Sequence, residues 1–91
     1  MRRGDLDVLM PARDAAATIE RAVGSVLRNL RPDDRLLVLD DGSTDSTRRL
    51  LGAFSDRRLV VVSEAESLGV ARGLNELLRI SDAEYIARMD A

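Results

Sequence analysis

The sequence predicts an α/β fold, a four-stranded parallel βαβαβαβ sheet with helices on both faces. Three observations carry that prediction. Short β-rich runs at residues 6–10, 35–40, 58–63 and 84–89 alternate with segments of helical period. Strand, helix and strand at this spacing pair in parallel, because a crossover helix returns the chain to the same edge of the sheet. The runs LLVL at 36–39 and LVVV at 59–62 are apolar without alternation, as in strands covered on both faces.

The elements follow in order. After the first strand, Ile19, Ala22, Val23, Val26, Leu27 and Leu30 recur at i, i+3, i+4 spacing, predicting a helix over 14–30 with Glu20, Arg21, Ser25 and Arg28 on its wet face. Asp14 is placed to cap that helix by accepting from its first unpaired N–H groups, and Pro32 helps to stop it. After the second strand, a shorter helix over 46–54 buries Leu50, Leu51 and Phe54, with Ser43, Thr44 and Asp45 supplying capping oxygens. A third helix over 69–80 presents Val70, Leu74, Leu77 and Leu78 on one face, and Ser67 is its expected cap. Gly24 and Gly73 read as close-packing positions within helices. Met89 belongs to the last strand and is expected to be buried.

Composition narrows the chemistry. The 91 residues bound a single domain, 1–91. They are 45% hydrophobic and carry 14 basic against 16 acidic residues, a net charge of −2, so the basic excess that nucleic-acid binding needs is missing. There is no cysteine or histidine, which excludes disulfides and thiolate or imidazole metal ligands, and leaves oxygen as the donor for any metal. Every basic residue is arginine, which removes the lysine of a phosphate-binding Walker loop or a Schiff base. The longest apolar runs are four residues, far short of the roughly 18 that a membrane span needs. Gly4-Asp5 follows Met1-Arg2-Arg3 where a signal peptide would turn apolar, so the expected compartment is the cytoplasm. A chain this short buries a small core and is expected to be marginally stable alone.

The unusual residues gather where strands end. In an open parallel sheet, ligands bind at the carboxyl ends of strands near the point where strand order reverses. Pro11-Ala12-Arg13-Asp14 follows the first strand, Asp40-Asp41-Gly42-Ser43 the second, residues 64–68 the third and Asp90 the fourth. The two adjacent acids have a plain reading, polar residues leaving a strand into a glycine turn and a capped helix. They have no evident basic partner, however, and an aspartate there can accept from a base imino N–H or a ribose hydroxyl. Asp90 similarly reads as the start of a solvated loop or as a hard oxygen ligand for magnesium or manganese. Arg13 and Arg72 read as solvated arginines, each also able to meet a phosphate or stack on a base.

Together, residues 8–14 (VLMPARD), 37–45 (LVLDDGSTD), 68–71 (LGVA) with Leu74-Asn75, and 84–91 (EYIARMDA) resemble the N-terminal half of glycosyltransferase family 2, in that family's order and over nearly the whole chain. The resemblance implies a Rossmann-like GT-A fold. It also implies transfer of a sugar from a nucleoside-diphosphate sugar to a hydroxyl of a sugar or lipid-linked acceptor, with inversion and with Mg or Mn as the cation. Carried onto this sequence, Pro11 and Ala12 would line the nucleotide cleft, and Asp41 would pair with the base with Asp40 beside it. Asp14 and Asn75 fall in the matching nucleotide-binding segments. Asp90 would be the first acid of the DxD motif, near the ribose and the cation. The third position of that motif would be residue 92, so the expectation is a nucleotide-sugar-binding half with no catalytic base of its own.

The sequence departs from the family pattern in the first loop, where Arg13-Asp14 stand in place of an aromatic and an asparagine, and at Leu74, where many members have arginine. Two other readings compete. A nucleotidyltransferase would call for a glycine-rich loop with a basic residue after the first strand, and Pro11-Ala12-Arg13-Asp14 contains no glycine. A non-catalytic α/β module acting in assembly would leave Asp40, Asp41 and Asp90 solvated or capping.

Overall fold

The computed structural model describes residues 5–91; the signal-peptide reading of residues 1–4 lies outside the described residues. The chain runs β1 (Leu6–Ala12), α1 (Ile19–Asn29), β2 (Arg35–Asp41), α2 (Thr47–Gly52), β3 (Leu59–Glu64), α3 (Val70–Ile80) and β4 (Tyr85–Arg88). The strands form one parallel sheet in the order β3-β2-β1-β4. Right-handed crossovers explain the layering. The first two connections step outward from β1 and lay α1 and α2 on one face, whereas α3 carries the chain back past β1 on the other. Strand order therefore reverses at β1, between β2 and β4.

The period of two along each strand divides the core accordingly. Val8, Met10, Leu36 and Val38 pack with Ile19, Val23, Val26 and Leu27 of α1 and Leu51 of α2. Leu9, Leu37 and Leu39 pack on the opposite face with Leu77, joined by partly buried Val60, Val62 and Leu74. Each fully buried leucine contributes about 1.5–3 kcal/mol relative to exposure. α3 lies so close to the sheet that a Cβ on Gly73 would collide with Leu39 Cδ2. Gly73 is thus the close-packing position the sequence suggests. Gly24 is not: a Cβ there would meet only Arg28 Nη1, at an ordinary 3.5 Å.

Several local expectations are corrected. Continuous apolar sequence predicts two covered faces for both LLVL and LVVV, but only the LLVL run of β2, in the centre, is buried at every residue. β3 is an edge strand with Val61 and Ser63 exposed, because the six-residue α2 covers little of it. β4 is exposed along its whole length, and Met89 lies just past it and is 43% exposed. α1 begins at Ile19 rather than residue 14, with Thr18 at its N-cap. Asp14 instead adopts a positive φ of 48° and caps nothing in α1. Ser67 likewise is not the cap of α3, whose N-cap residue is Gly69.

At the amino-terminal rim, Asp7 is fully buried and accepts from Arg35 Nε and Nη2 and from Ser81 Oγ. This ties the starts of β1 and β2 to the end of α3. The Asp7 hydrogen bonds hold Arg35 above the ordinary arginine range despite its partial desolvation.

Candidate functional site

The loops after β1 and β2 interlock through the polar string 43–47. Backbone N–H groups of Asp14, Ala15 and Ala16 donate in turn to Ser43 Oγ, Thr47 Oγ1 and Asp45 Oδ2. In return, Asp14 Oδ1 accepts from Thr44 N at 2.7 Å, from Thr44 Oγ1 and from Asp45 N. Asp14, at a positive φ of 48°, is outside the helical conformation, so the helix does not start there and 14–18 stays a loop. Asp45 also accepts from Thr47 N and Oγ1, bonds that hold its carboxyl below the usual carboxylate range. The small hydroxyl and carboxylate side chains of this string act as a clasp between two loops.

Asp40 and Asp41 are neighbours in sequence and belong to opposite faces. Side chains alternate along a strand, so Asp40 points to the α1/α2 face, where it is fully buried and ion-paired with Arg48 Nε at 2.7 Å. Arg48 Nη2 also donates to the carbonyl of Glu64, tying α2 to the end of β3. The basic partner missing from the sequence reading is Arg48, eight residues downstream, and Asp40 does not stand beside Asp41 in one site.

Asp41 faces the turn that leads into α3. Its Oδ1 accepts from Leu68 N at 2.6 Å, and its Oδ2 accepts from Ser67 Oγ at 2.8 Å and Gly69 N at 3.1 Å. Burial alone would push its carboxyl up, but these three donors and the charge of Arg13 outweigh burial and hold it below the usual range. Ser67, expected to cap α3, thus serves Asp41. Gly42 makes room for the arrangement: its φ is +68°, and a Cβ would lie 2.6 Å from Ser67 N.

A cavity of about 140 Å³ opens where strand order reverses, lined by Pro11, Ala12, Arg13, Ala15, Asp41, Val70, Asp90 and Ala91. Of the residues singled out from sequence, Pro11, Ala12, Asp41 and Asp90 meet there. The other three do not: Asp40 is sealed against Arg48, Asp14 is exposed and clasped to Thr44, and Asn75 is exposed on α3. The lining also includes Arg13, exposed and read from sequence as a solvated arginine that could also meet a phosphate or a base, and Val70, read as a helix-face residue. Position in the loop after the central strand, at the reversal point, is the signal that marks Arg13.

The polar inventory of the cavity is small. Asp90 is exposed and pairs with Arg88 Nη2 at 3.2 Å, a surface contact worth little. Among the described residues, no group of three or more His, Cys, Asp or Glu could hold a metal ion. Asp90 therefore fits only as one oxygen ligand of a cation that also takes waters and substrate phosphates, an arrangement usual for magnesium. The cavity falls below the roughly 300–1,000 Å³ that encloses drug-sized ligands. Its charged lining is the carboxylates of Asp41 and Asp90 and the guanidinium of Arg13. No helix of the described residues is long and apolar enough to cross a membrane.

Comparison with known proteins bears on this rim. The chain is 33% identical over 86 residues to the UDP-Glc:alpha-D-GlcNAc-diphosphoundecaprenol beta-1,3-glucosyltransferase WfgD of Escherichia coli, a match covering 94% of this chain and 34% of that protein. It is 37% identical over 89 residues to the succinoglycan biosynthesis protein ExoU of Rhizobium meliloti, covering 96% of this chain and 26% of that one. A solved structure, the mannosyltransferase PcManGT from Pyrobaculum calidifontis in complex with GDP-Man and Mn²⁺, superposes with a TM-score of 0.73 at 30% identity. That match covers 87% of this chain and 25% of the mannosyltransferase. The chain thus spans about a third or less of the length of these relatives. The family model described as glycosyl transferase family 2 matches residues 7–91, from the second residue of β1 through the Asp90 end of the cavity, and the chain belongs to that family.

Proposed function

We propose that this chain binds the donor nucleotide of a glycosyltransferase, which moves a sugar from a nucleoside diphosphate to an acceptor hydroxyl with inversion. On this reading, residues 1–91 are part of one glycosyltransferase domain and supply nucleotide binding without the catalytic base. The observation that carries it is the meeting of Asp41 and Asp90, 49 positions apart in sequence, on one cavity at the reversal point of the sheet.

Each wall has a task. Pro11, Ala12, Ala15 and Val70 offer the apolar surface against which a base packs. Asp41, held ionised by its donors, accepts from the base edge. Asp90 stands where the ribose and diphosphate leave the cavity and offers one oxygen to a divalent cation, Mg or Mn. Such a cation, when bound, offsets negative charge growing on the departing diphosphate. In an inverting displacement the acceptor hydroxyl attacks opposite that leaving group, so its base must approach from across the sugar. The relatives support a sugar or lipid-linked acceptor: WfgD is named for a diphosphoundecaprenol substrate. The mannosyltransferase, in complex with GDP-Man and Mn²⁺, supports the donor class and the cation. The cysteine-free composition suits the reducing cytoplasm, where we place the reaction.

Calorimetric titration of the protein, expressed from its full reading frame, with nucleoside diphosphates in the presence of Mn²⁺ tests this. Saturable one-to-one binding, weakened at least tenfold by Asp41→Ala, is expected. Failure of every common nucleoside diphosphate to bind would end the reading. The competing assembly module would show no binding and no dependence on Asp41.

A further inference from the structure

Resting on the nucleotide-binding reading above, we infer that Asp14 is a positioning residue. Clasped to the 43–45 string outside the cavity, it sets the first loop so that Arg13 stands at the cavity wall, as the cation that lets an anionic nucleotide approach Asp41.

Among the described residues, Asp14 is the only one other than glycine with a positive φ, at 48°, a conformation that aspartate tolerates better than most residues but does not favour. Four hydrogen bonds hold it there. Its N–H donates to Ser43 Oγ, and its Oδ1 accepts from Thr44 N, Thr44 Oγ1 and Asp45 N. A backbone outlier persists only where its surroundings over-determine it, and such residues cluster at functional sites. The flanking residues show what the bend achieves: Arg13 and Ala15 both line the cavity, whereas Asp14 does not. The Asp14 carboxylate thus engages the neighbouring loop rather than the ligand.

The task of Arg13 follows from charge. All three groups that donate to Asp41, namely Ser67 Oγ, Leu68 N and Gly69 N, are neutral, so its carboxylate keeps a full negative charge toward a ligand whose diphosphate is negative too. Arg13 is the only cation among the residues lining the cavity, and its charge acts on Asp41. It makes no hydrogen bond or ion pair among the described residues, so all of its N–H donors are uncommitted. A charge held close to Asp41 and partly shielded from water offsets that repulsion far better than one free in solvent. A loose first loop would let the guanidinium swing out to where salt screens it. The clasp at Asp14 removes that freedom.

The experiment is a calorimetric titration of UDP, GDP, ADP and CDP with Mn²⁺ into the protein expressed from its full reading frame. The tightest of the four is then titrated into Arg13→Ala, Asp14→Gly, Asp14→Asn and the combined Arg13→Ala and Asp14→Gly variant, at low and at high salt. Arg13→Ala is expected to weaken binding about tenfold at low salt and less than about threefold at high salt, where its charge is screened in any case. Asp14→Gly keeps the backbone conformation but loses the clasp, and is expected to weaken binding about fivefold with the same salt dependence. Asp14→Asn keeps both the left-handed conformation and an Oδ1 acceptor, and is expected to stay within about twofold of the wild type. In the Arg13→Ala background, Asp14→Gly is expected to change nothing further, because its effect runs through Arg13. A loop that merely came apart would weaken binding in that background as well, so a loss that persists there overturns the inference while leaving nucleotide binding intact. So does wild-type affinity in Asp14→Gly. If none of the four nucleotides binds the wild-type protein, both readings fall together.

Discussion

Asp41 accepts from three donors of one turn, and that turn can approach only because residue 42 has no side chain. Gly42 sits at φ +68° with Ser67 N and the Glu66 carbonyl carbon where a Cβ would be, at 2.6 and 2.9 Å. Both neighbours are backbone, so they cannot swing aside as a side-chain tip would. Gly42→Ala combines a left-handed conformation with that collision and is expected to cost about 2–3 kcal/mol, read as a lower urea midpoint at unchanged slope. The loss should extend to nucleotide binding, because moving Ser67 releases Asp41. Gly69 has open space at its Cβ position but sits at φ 87° and ψ 161°, a region essentially closed to residues with a Cβ, so Gly69→Ala should cost about 1–3 kcal/mol by backbone strain alone.

Between elements, the connection that enters β3 is fastened by one short-range pair. Asp56 Oδ1 accepts from Arg58 N and Nε and Oδ2 from Arg58 Nη2, while Arg58 Nη1 reaches the Leu30 carbonyl at the end of α1. Arg58 thereby holds the Asp56 carboxyl down at about 2, below the roughly 3.9 of a free aspartate. Because the folded value lies below the unfolded one, this contribution is fully present above about pH 4 and is lost as the pH falls towards 2. With the pair partly exposed, the loss is about 1 kcal/mol. Urea midpoints measured from pH 5 to 2 should show it, and Asp56→Asn should flatten that part of the profile while lowering stability at pH 7. Helical period and β-rich runs made all seven elements legible in the sequence, including β4, which the structure leaves exposed. What stayed hidden depends on partners far along the chain. Ser43, Asp45 and Thr47 hold the loop where a capped first turn was expected. Arg48 takes Asp40 out of the site. The period of two, applied to Asp40 and Asp41, would have separated them without any coordinates.

At the scale of the whole sheet, both edges are open among the described residues, β3 on one side and β4 on the other, and β4 is the barer of the two. β2 and β1 are buried between layers, but β4 is exposed at every residue, and Tyr85, Ile86 and Met89 are 64%, 47% and 43% exposed. Leu78 and Ile80 of α3 add to the exposed apolar surface. The inner edge of β4 pairs with β1 in the register Leu6 to Tyr85 through Leu9 to Arg88, and no strand among the described residues pairs with its outer edge. An apolar strand with free N–H and carbonyl groups is a template for another strand, and the adjoining patch rewards any contact that covers it. The 91-residue chain is therefore expected to self-associate through β4. Sedimentation velocity from 5 to 200 μM should show a concentration-dependent shift from monomer to dimer or larger species. Ile86→Lys places a charge on the exposed strand, a device by which edge strands avoid pairing, and should return the chain to monomer with its urea midpoint changed by less than about 0.5 kcal/mol equivalent, as for other exposed substitutions. A monomer at every concentration for the unsubstituted chain would mean that the twist of the short β4 already shields its edge.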